Sequence, residues 1–212
     1  MSLALGLADA RVWRTSELLE AIAARHEGGE VAAGELLLQL GDRSYGLLLL
    51  MLAVLSIVPN VPGFSGIVGL ALMAITAQLV VGRRVPWLPR FLQRRRLPVA
   101  KLHRAIGVAV RTLRWIERWC RPRFSLLVST TAERIYGVVV LYLALLIALP
   151  IPVVGNIPPA IAITTLAFGL LEKDGIVVLA GLGLSLVAAA VTLTAGVAAA
   201  NGLAATLAAF LG

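Results

Sequence analysis

Ser44-Tyr45-Gly46-Leu47-Leu48-Leu49-Leu50-Met51-Leu52-Ala53-Val54-Leu55-Ser56-Ile57-Val58, then Pro59-Asn60-Val61-Pro62-Gly63-Phe64-Ser65-Gly66, opens a run without a single charge until Arg83. That run covers 39 positions. Two more match it, 37 positions between Arg134 and Glu172 and 38 from Gly175 to the end. A helix crosses the hydrocarbon core with about 20 apolar residues, so each run is too long for one ordinary span and close to right for two. The expected fold is all-α, a polytopic integral membrane protein of three helical hairpins and six membrane segments.

Composition agrees. The chain has 212 residues, 59% of them hydrophobic and 14% charged, where soluble domains carry about 25% charged. Its mean hydropathy is +0.93. One globular core cannot hide that much apolar side chain, and lipid is the natural solvent for the excess. The boundaries read as follows: an amphipathic N-terminal region over 1–43, a first membrane hairpin over 44–82, a basic linker over 83–134, a second hairpin over 135–171, and a small-residue-rich membrane segment over 172–212.

Lysine and arginine set the orientation. All 19 lie outside the uncharged runs, and 13 fall between Arg83 and Arg123, where Glu117 is the only acid. Short basic loops stay in the cytoplasm, so the N-terminus, the linker and Glu172-Lys173-Asp174 are expected there. The net charge of +8 reads as a topology and anionic-lipid signal rather than a nucleic-acid one, since no nucleic-acid-binding motif accompanies it. Residues 1–10 lack the pattern of a cleavable signal peptide.

Residues 11–41 read as two amphipathic helices, the first capped by Ser16 and broken at Gly28-Gly29, the second running from Val31 to Leu40. In the linker, Gly82-Arg83-Arg84-Val85-Pro86-Trp87-Leu88-Pro89 is a sharp membrane exit, with Trp87 at headgroup level. From Val99 to Trp119 the apolar positions Leu102, Ile106, Val110, Leu113 and Ile116 recur at helical spacing. Lys101, Arg104, Arg111, Arg114 and Arg118 fill much of the rest. That is a basic amphipathic helix in the inner interface, facing anionic headgroups together with Arg83, Arg84 and Trp87. Thr130 can cap the next span with Glu133 at capping-box spacing. Cys120 is a lone thiol on an apolar helix side and reads as buried. His26 and His103 have no clustered ligands, so neither a metal nor a cofactor is expected.

Two places interrupt the lipid-compatible sequence: Pro59 to Gly66, and Pro150-Ile151-Pro152-Val153-Val154-Gly155-Asn156-Ile157-Pro158-Pro159. They lie about 92 residues apart and each precedes a small-residue-rich helix, the pattern of a tandem internal repeat. The segments before them, Tyr45 to Val58 and Ile135 to Leu149, reach only about 21–23 Å against a core of about 30 Å. The shortfall favours re-entrant hairpins over external turns, and broken segments at matching positions in two halves point to a transporter site. The candidate substrate-binding residues are Asn60, Gly63, Ser65, Gln78, Gly155, Asn156 and Pro158. Free N–H groups at the start of each following helix suit an anion. The bland reading of the same polar side chains is capping or interhelix hydrogen bonding.

Three stretches stand out together: Leu40-Gly41-Asp42-Arg43-Ser44-Tyr45-Gly46, Gln78 to Pro89 with its Arg83-Arg84-Val85-Pro86-Trp87-Leu88-Pro89, and Pro150 to Ala160 with Gly169-Leu170-Leu171-Glu172-Lys173-Asp174-Gly175. In combination they resemble the exopolysaccharide synthesis ExoD family. The resemblance spans roughly residues 15 to 195. It departs at Lys173, where arginine is the more usual residue, and is looser around Asn60 and Phe64. It implies a bacterial inner-membrane protein of exopolysaccharide production and carries no catalytic motif. Glu172 and Asp174 read as helix-end residues, Asp174 capping the next helix and Glu172 pairing with a linker arginine. No enzyme activity is expected. The leading function is transport or flipping of an anionic or lipid-linked substrate. The alternative is a scaffold or regulator for other polysaccharide-synthesis proteins, and an enzyme acting on lipid-linked sugar comes third. The small-residue segment from Ile176 onward, with a turn expected at Asn201-Gly202, is the candidate interface for a homo-oligomer such as a dimer.

Overall fold

The computed structural model describes residues 14–25, 29–41, 43–57, 64–99, 103–104, 106–107, 110–111, 114, 130–149 and 156–211. Helices dominate. In chain order they are α1 (Thr15–Arg25), α2 (Ala33–Leu40), α3 (Arg43–Ile57), α4 (Phe64–Val81), the single turn α5 (Arg90–Gln93), α6 (Thr130–Ala148), α7 (Ile157–Glu172) and α8 (Gly175–Leu211). The described residues between His103 and Arg114 are also helical. Two three-residue strands, β1 (Glu30–Ala32) and β2 (Arg96–Pro98), pair antiparallel with Val31 opposite Leu97. This ribbon takes Val31 and Ala32 out of the helix expected from Val31 to Leu40. Helix α4 and helix α8 are long and apolar enough to cross a membrane, and α3 and α7 are apolar but shorter.

The repeat is more regular than the proline blocks suggest. Asp42-Arg43-Ser44-Tyr45-Gly46 recurs 91 positions later as Glu133-Arg134-Ile135-Tyr136-Gly137. Tyr45 and Tyr136 are both buried. Gly46 backs onto α7, where an added Cβ would lie 2.9 Å from Leu171 Cδ1 and 3.2 Å from the Ala167 carbonyl. Gly137 backs onto α4, where a Cβ would lie 2.9 Å from Val80 Cγ2. Val80 and Leu171 are themselves 91 positions apart. The first helix of each repeat thus packs on the second helix of the other, more extensively than on its own hairpin partner. Leu49, Leu72, Val140, Leu143, Ile147, Ile163 and Leu166 fill the space between, all fully buried.

Both second helices end alike. Gly82 (φ 83°) and Lys173 (φ 52°) take the left-handed conformation, and the next N–H bonds back five residues, Arg83 to Gln78 at 3.1 Å and Asp174 to Gly169 at 3.0 Å. An arginine from the opposite repeat sits at each end. The Arg134 guanidinium lies against Gly82, and Arg43 Nη1 donates to Thr15 Oγ1 (3.1 Å), which donates to the Leu171 carbonyl (3.4 Å). Cations there complement the negative ends of α4 and α7. The ends of the bundle are therefore distinct, one basic and one where both chain breaks fall.

Three expectations are corrected. The last run is not a hairpin: α8 continues unbroken through Asn201-Gly202, one helix where two membrane segments were expected. One glycine among alanines costs about 1 kcal/mol, too little to break a helix whose backbone has no better partner. Ser16 does not cap α1. The Arg14 N–H bonds Glu17 Oε2 at 3.1 Å, which moves the start upstream and leaves Ser16 buried. Of the apolar stripe expected to face lipid on the basic helix, the described residues Ile106 and Val110 are instead packed on protein, clustering with Leu19, Ile22, Leu40 and Leu171. Asp174 caps α8 as expected, accepting the Ile176 N–H at Oδ1 (2.9 Å). Cys120 and His26 lie outside the described residues.

Gly69 tests the close packing. A Cβ there would fall 2.6 Å from the Ala148 nitrogen and 2.7 Å from its Cα. Gly69→Ala is expected to cost about 1–3 kcal/mol by overpacking. Gly183→Ala, where nothing lies within 4 Å, should be neutral or slightly stabilising. Thermal unfolding in detergent measures both. By the same method Lys173→Gly should stabilise the chain by about 1 kcal/mol, because it relieves left-handed strain on a residue with a side chain.

Candidate functional site: the two helix breaks

Helix α3 runs antiparallel to α7 and α4 antiparallel to α6, so the C-termini of α3 and α6 and the N-termini of α4 and α7 share one end of the bundle. Ser65 and Asn156 lie 91 positions apart, each within the first turn of a second helix or just before it. The repeat therefore brings these two residues to equivalent positions at the same end. Asn60, Gly63 and Gly155 lie outside the described residues.

The two breaks are not chemically equal. Helix α7 begins Ile157-Pro158-Pro159, and prolines have no N–H. The Ala160 N–H is taken by the Asn156 carbonyl at 3.1 Å. Of the first-turn donors only that of Ile157 exists to meet a ligand, so the expected anion cradle is corrected here: two of its three donors are absent. What this break holds instead is an acceptor. Asn156 is 6% exposed, caps nothing with its side chain, and its Oδ1 is buried without a hydrogen-bond partner among the described residues. A buried amide oxygen left this way costs about 1–3 kcal/mol, and an incoming donor recovers that. Helix α4 starts Phe64-Ser65-Gly66, which keeps an N–H at every position. Its positive end can still face an anion.

Gln78 does not join the site. It lies fourteen residues along α4 from Phe64, about 21 Å away at the basic end. Its amide is committed there: Oε1 accepts the Trp87 N–H (2.6 Å), and Nε2 donates to the carbonyls of Trp87 (3.1 Å) and Ala74 (3.0 Å). The side chain imitates a strand partner and folds the Arg83–Pro89 turn back onto α4. Thr164 and Thr165 also have local partners, the carbonyls of Ala160 and Ile161. Arg83, Arg84 and Trp87 are exposed on that turn, and Arg104, Arg111 and Arg114 on the basic helix. Lys101 and Arg118 lie outside the described residues.

The feature that sequence reading missed is the acidic-Arg-x-Tyr-Gly repeat. A search at a 91-residue offset finds it, because Tyr45-Gly46 and Tyr136-Gly137 match directly. Gln78→Leu should free the Trp87 turn while leaving the breaks intact. Trp87 is already 53% exposed, so limited proteolysis between Gly82 and Arg95 should accelerate several-fold with little change in the melting midpoint.

The comparisons with known proteins agree with the motif pattern. The chain is 28% identical over 169 residues to Protein ExoD of Rhizobium meliloti, covering 78% of this chain and 70% of that protein. It is 30% identical over 112 residues to an uncharacterized protein of Synechocystis, covering 52% of each. No solved structure matches. The family model described as exopolysaccharide synthesis, ExoD, matches residues 15–194. The chain belongs to the ExoD family, which is involved in exopolysaccharide synthesis.

Proposed function

We propose that the protein is a multi-pass inner-membrane component of exopolysaccharide synthesis or export, and that the paired breaks, held within the bilayer, pass or flip a lipid-linked substrate. The observation that carries this reading is the length of α8 beside the shortness of its neighbours. Helices α3 and α7 have 15 and 16 residues, about 22–24 Å. Helix α8 has 37, about 55 Å, and packs on α7 through its first half, Thr192 being the last buried residue among those described. Beyond it the helix runs on with Leu193, Val197, Leu207 and Phe210 exposed. If the breaks lay at the far membrane surface, about 28 Å of apolar helix would stand in water. If they lie within the bilayer, a tilt inside the usual 0–40° range fits α8 to the 40–45 Å that includes the headgroups.

The unequal breaks support the substrate class. A lipid-linked sugar carries phosphate and hydroxyls together. The donor-bearing start of α4 suits the phosphate, and the acceptor at Asn156 suits a hydroxyl. The second reading, a scaffold for polysaccharide-synthesis proteins or a homo-oligomer, is favoured by the same free half of α8, whose Gly196 and Gly202 leave room for a close helix partner.

Accessibility separates the geometries. With Cys120 replaced by alanine, single cysteines at Ser65 and Asn156 are expected to resist a membrane-impermeant maleimide applied to intact cells, while one at Lys173 reacts only from inside. Fast labelling of both from outside would reject the buried-site mechanism. Asn156→Ala should cut polysaccharide output about tenfold at unchanged protein level, the loss of one buried hydrogen bond of about 1.4 kcal/mol. Full output from that variant would favour the scaffold.

A further inference from the structure

A cleft of about 690 Å³ lies between α1 and the basic helix, away from the breaks and at the other end of the bundle. Ala23, Ile106 and Val110 supply its apolar floor, and His103, Arg111 and Arg114 its basic rim. Behind the floor, Leu171 is part of the same cluster, and Leu47 and Phe168 pack against it, so the cleft sits where α3 begins and α7 ends. The two arginines are held differently. Arg114 Nη2 donates to both Glu20 carboxylate oxygens, at 2.6 and 2.7 Å, which fixes its guanidinium at the rim. Arg111 is exposed and makes no ion pair with a described residue. His103 Nε2 shares a hydrogen bond of 2.9 Å with the Ala23 carbonyl and ties the rim to α1. Between them Gly107 leaves the cleft open, since a Cβ there would meet nothing within 4 Å.

We infer that this cleft binds the phosphate-bearing headgroup of an anionic membrane lipid. The inference rests on the membrane reading above. A free guanidinium beside a fixed one is a phosphate-recognition pair, and arginine suits it through its planar fork of donors. The apolar floor matches the glycerol and first methylenes of a lipid rather than a small hydrated anion. The position agrees too, because the cleft adjoins the ends of apolar helices, at the depth where headgroups stand. The one acid in the lining, Glu20, already has its cation, so a bound phosphate meets net positive charge.

The test uses the full chain purified in a neutral detergent and reads the shift in melting midpoint on adding short-chain phosphatidylglycerol, phosphatidylcholine or glycerol phosphate at equal concentration. Phosphatidylglycerol is expected to raise the midpoint by several degrees and the other two by less than a third of that. Arg111→Gln should at least halve the shift. Arg90→Gln, which removes an exposed charge outside the cleft, should keep it. Gly107→Leu fills the cleft without touching a charge and should also abolish the shift while its lipid-free midpoint holds. Equal loss in Arg111→Gln and Arg90→Gln, or an unaltered shift in Gly107→Leu, would overturn the site in favour of diffuse attraction. An equal response to glycerol phosphate would overturn the lipid in favour of a soluble anion. Recovery of the chain from detergent-extracted membranes tests the membrane reading separately.

Discussion

Everything in this bundle depends on how closely helices from opposite repeats approach at Gly46 and Gly137. At both positions an added Cβ would press on the facing helix, on Leu171 in one case and Val80 in the other. Removing one methyl group there lets α3 meet α7 and α6 meet α4 along their length. The buried faces of all four then interdigitate around Leu49, Leu72, Leu143 and Leu166. Close van der Waals contact of this kind is what lets apolar helices pack tightly on one another. The crossed pairing also means that each hairpin buries more of its apolar face against the other repeat than against itself, so the two repeats complete one another.

The same pairing makes the two ends of the bundle different. At one end an arginine from each repeat sits at the helix end of the other, Arg134 against Gly82 and Arg43 reaching the Leu171 carbonyl through Thr15 of α1. At the other end lie the helix termini that flank the two chain breaks. Among the described residues there, the Asn156 side-chain oxygen is buried without a partner, and Pro158 and Pro159 supply no N–H donors beside it. A duplicated framework thus carries one break rich in donors and one that offers an acceptor.

Much of this was readable beforehand. The uncharged runs gave the apolar helices, Pro59 and Pro150 marked the breaks, and Asp174 announced the start of α8. Sequence reading fell short where a residue's partner is far along the chain. Gln78 looked like a polar group in a membrane helix, yet its partner is the backbone of Trp87, nine residues on and folded back. Ile106 and Val110 looked lipid-facing because helical periodicity reports an apolar side, not what covers it. Asn201-Gly202 carried a turn signal that a continuous hydrogen-bond ladder overrode.

Composition and charge spacing by themselves determined that the chain is helical, apolar and duplicated, because period, length and charge are local quantities. They also set the basic end, since every lysine and arginine lies outside the runs. Only the tertiary structure decided which helix packs on which, that α8 is one helix rather than two, and that Asn156 is buried without a partner while Gln78 is spent elsewhere. Those outcomes depend on contacts between residues distant in the chain, and whether a polar group is satisfied depends on the neighbour that arrives, not on its own place in the sequence.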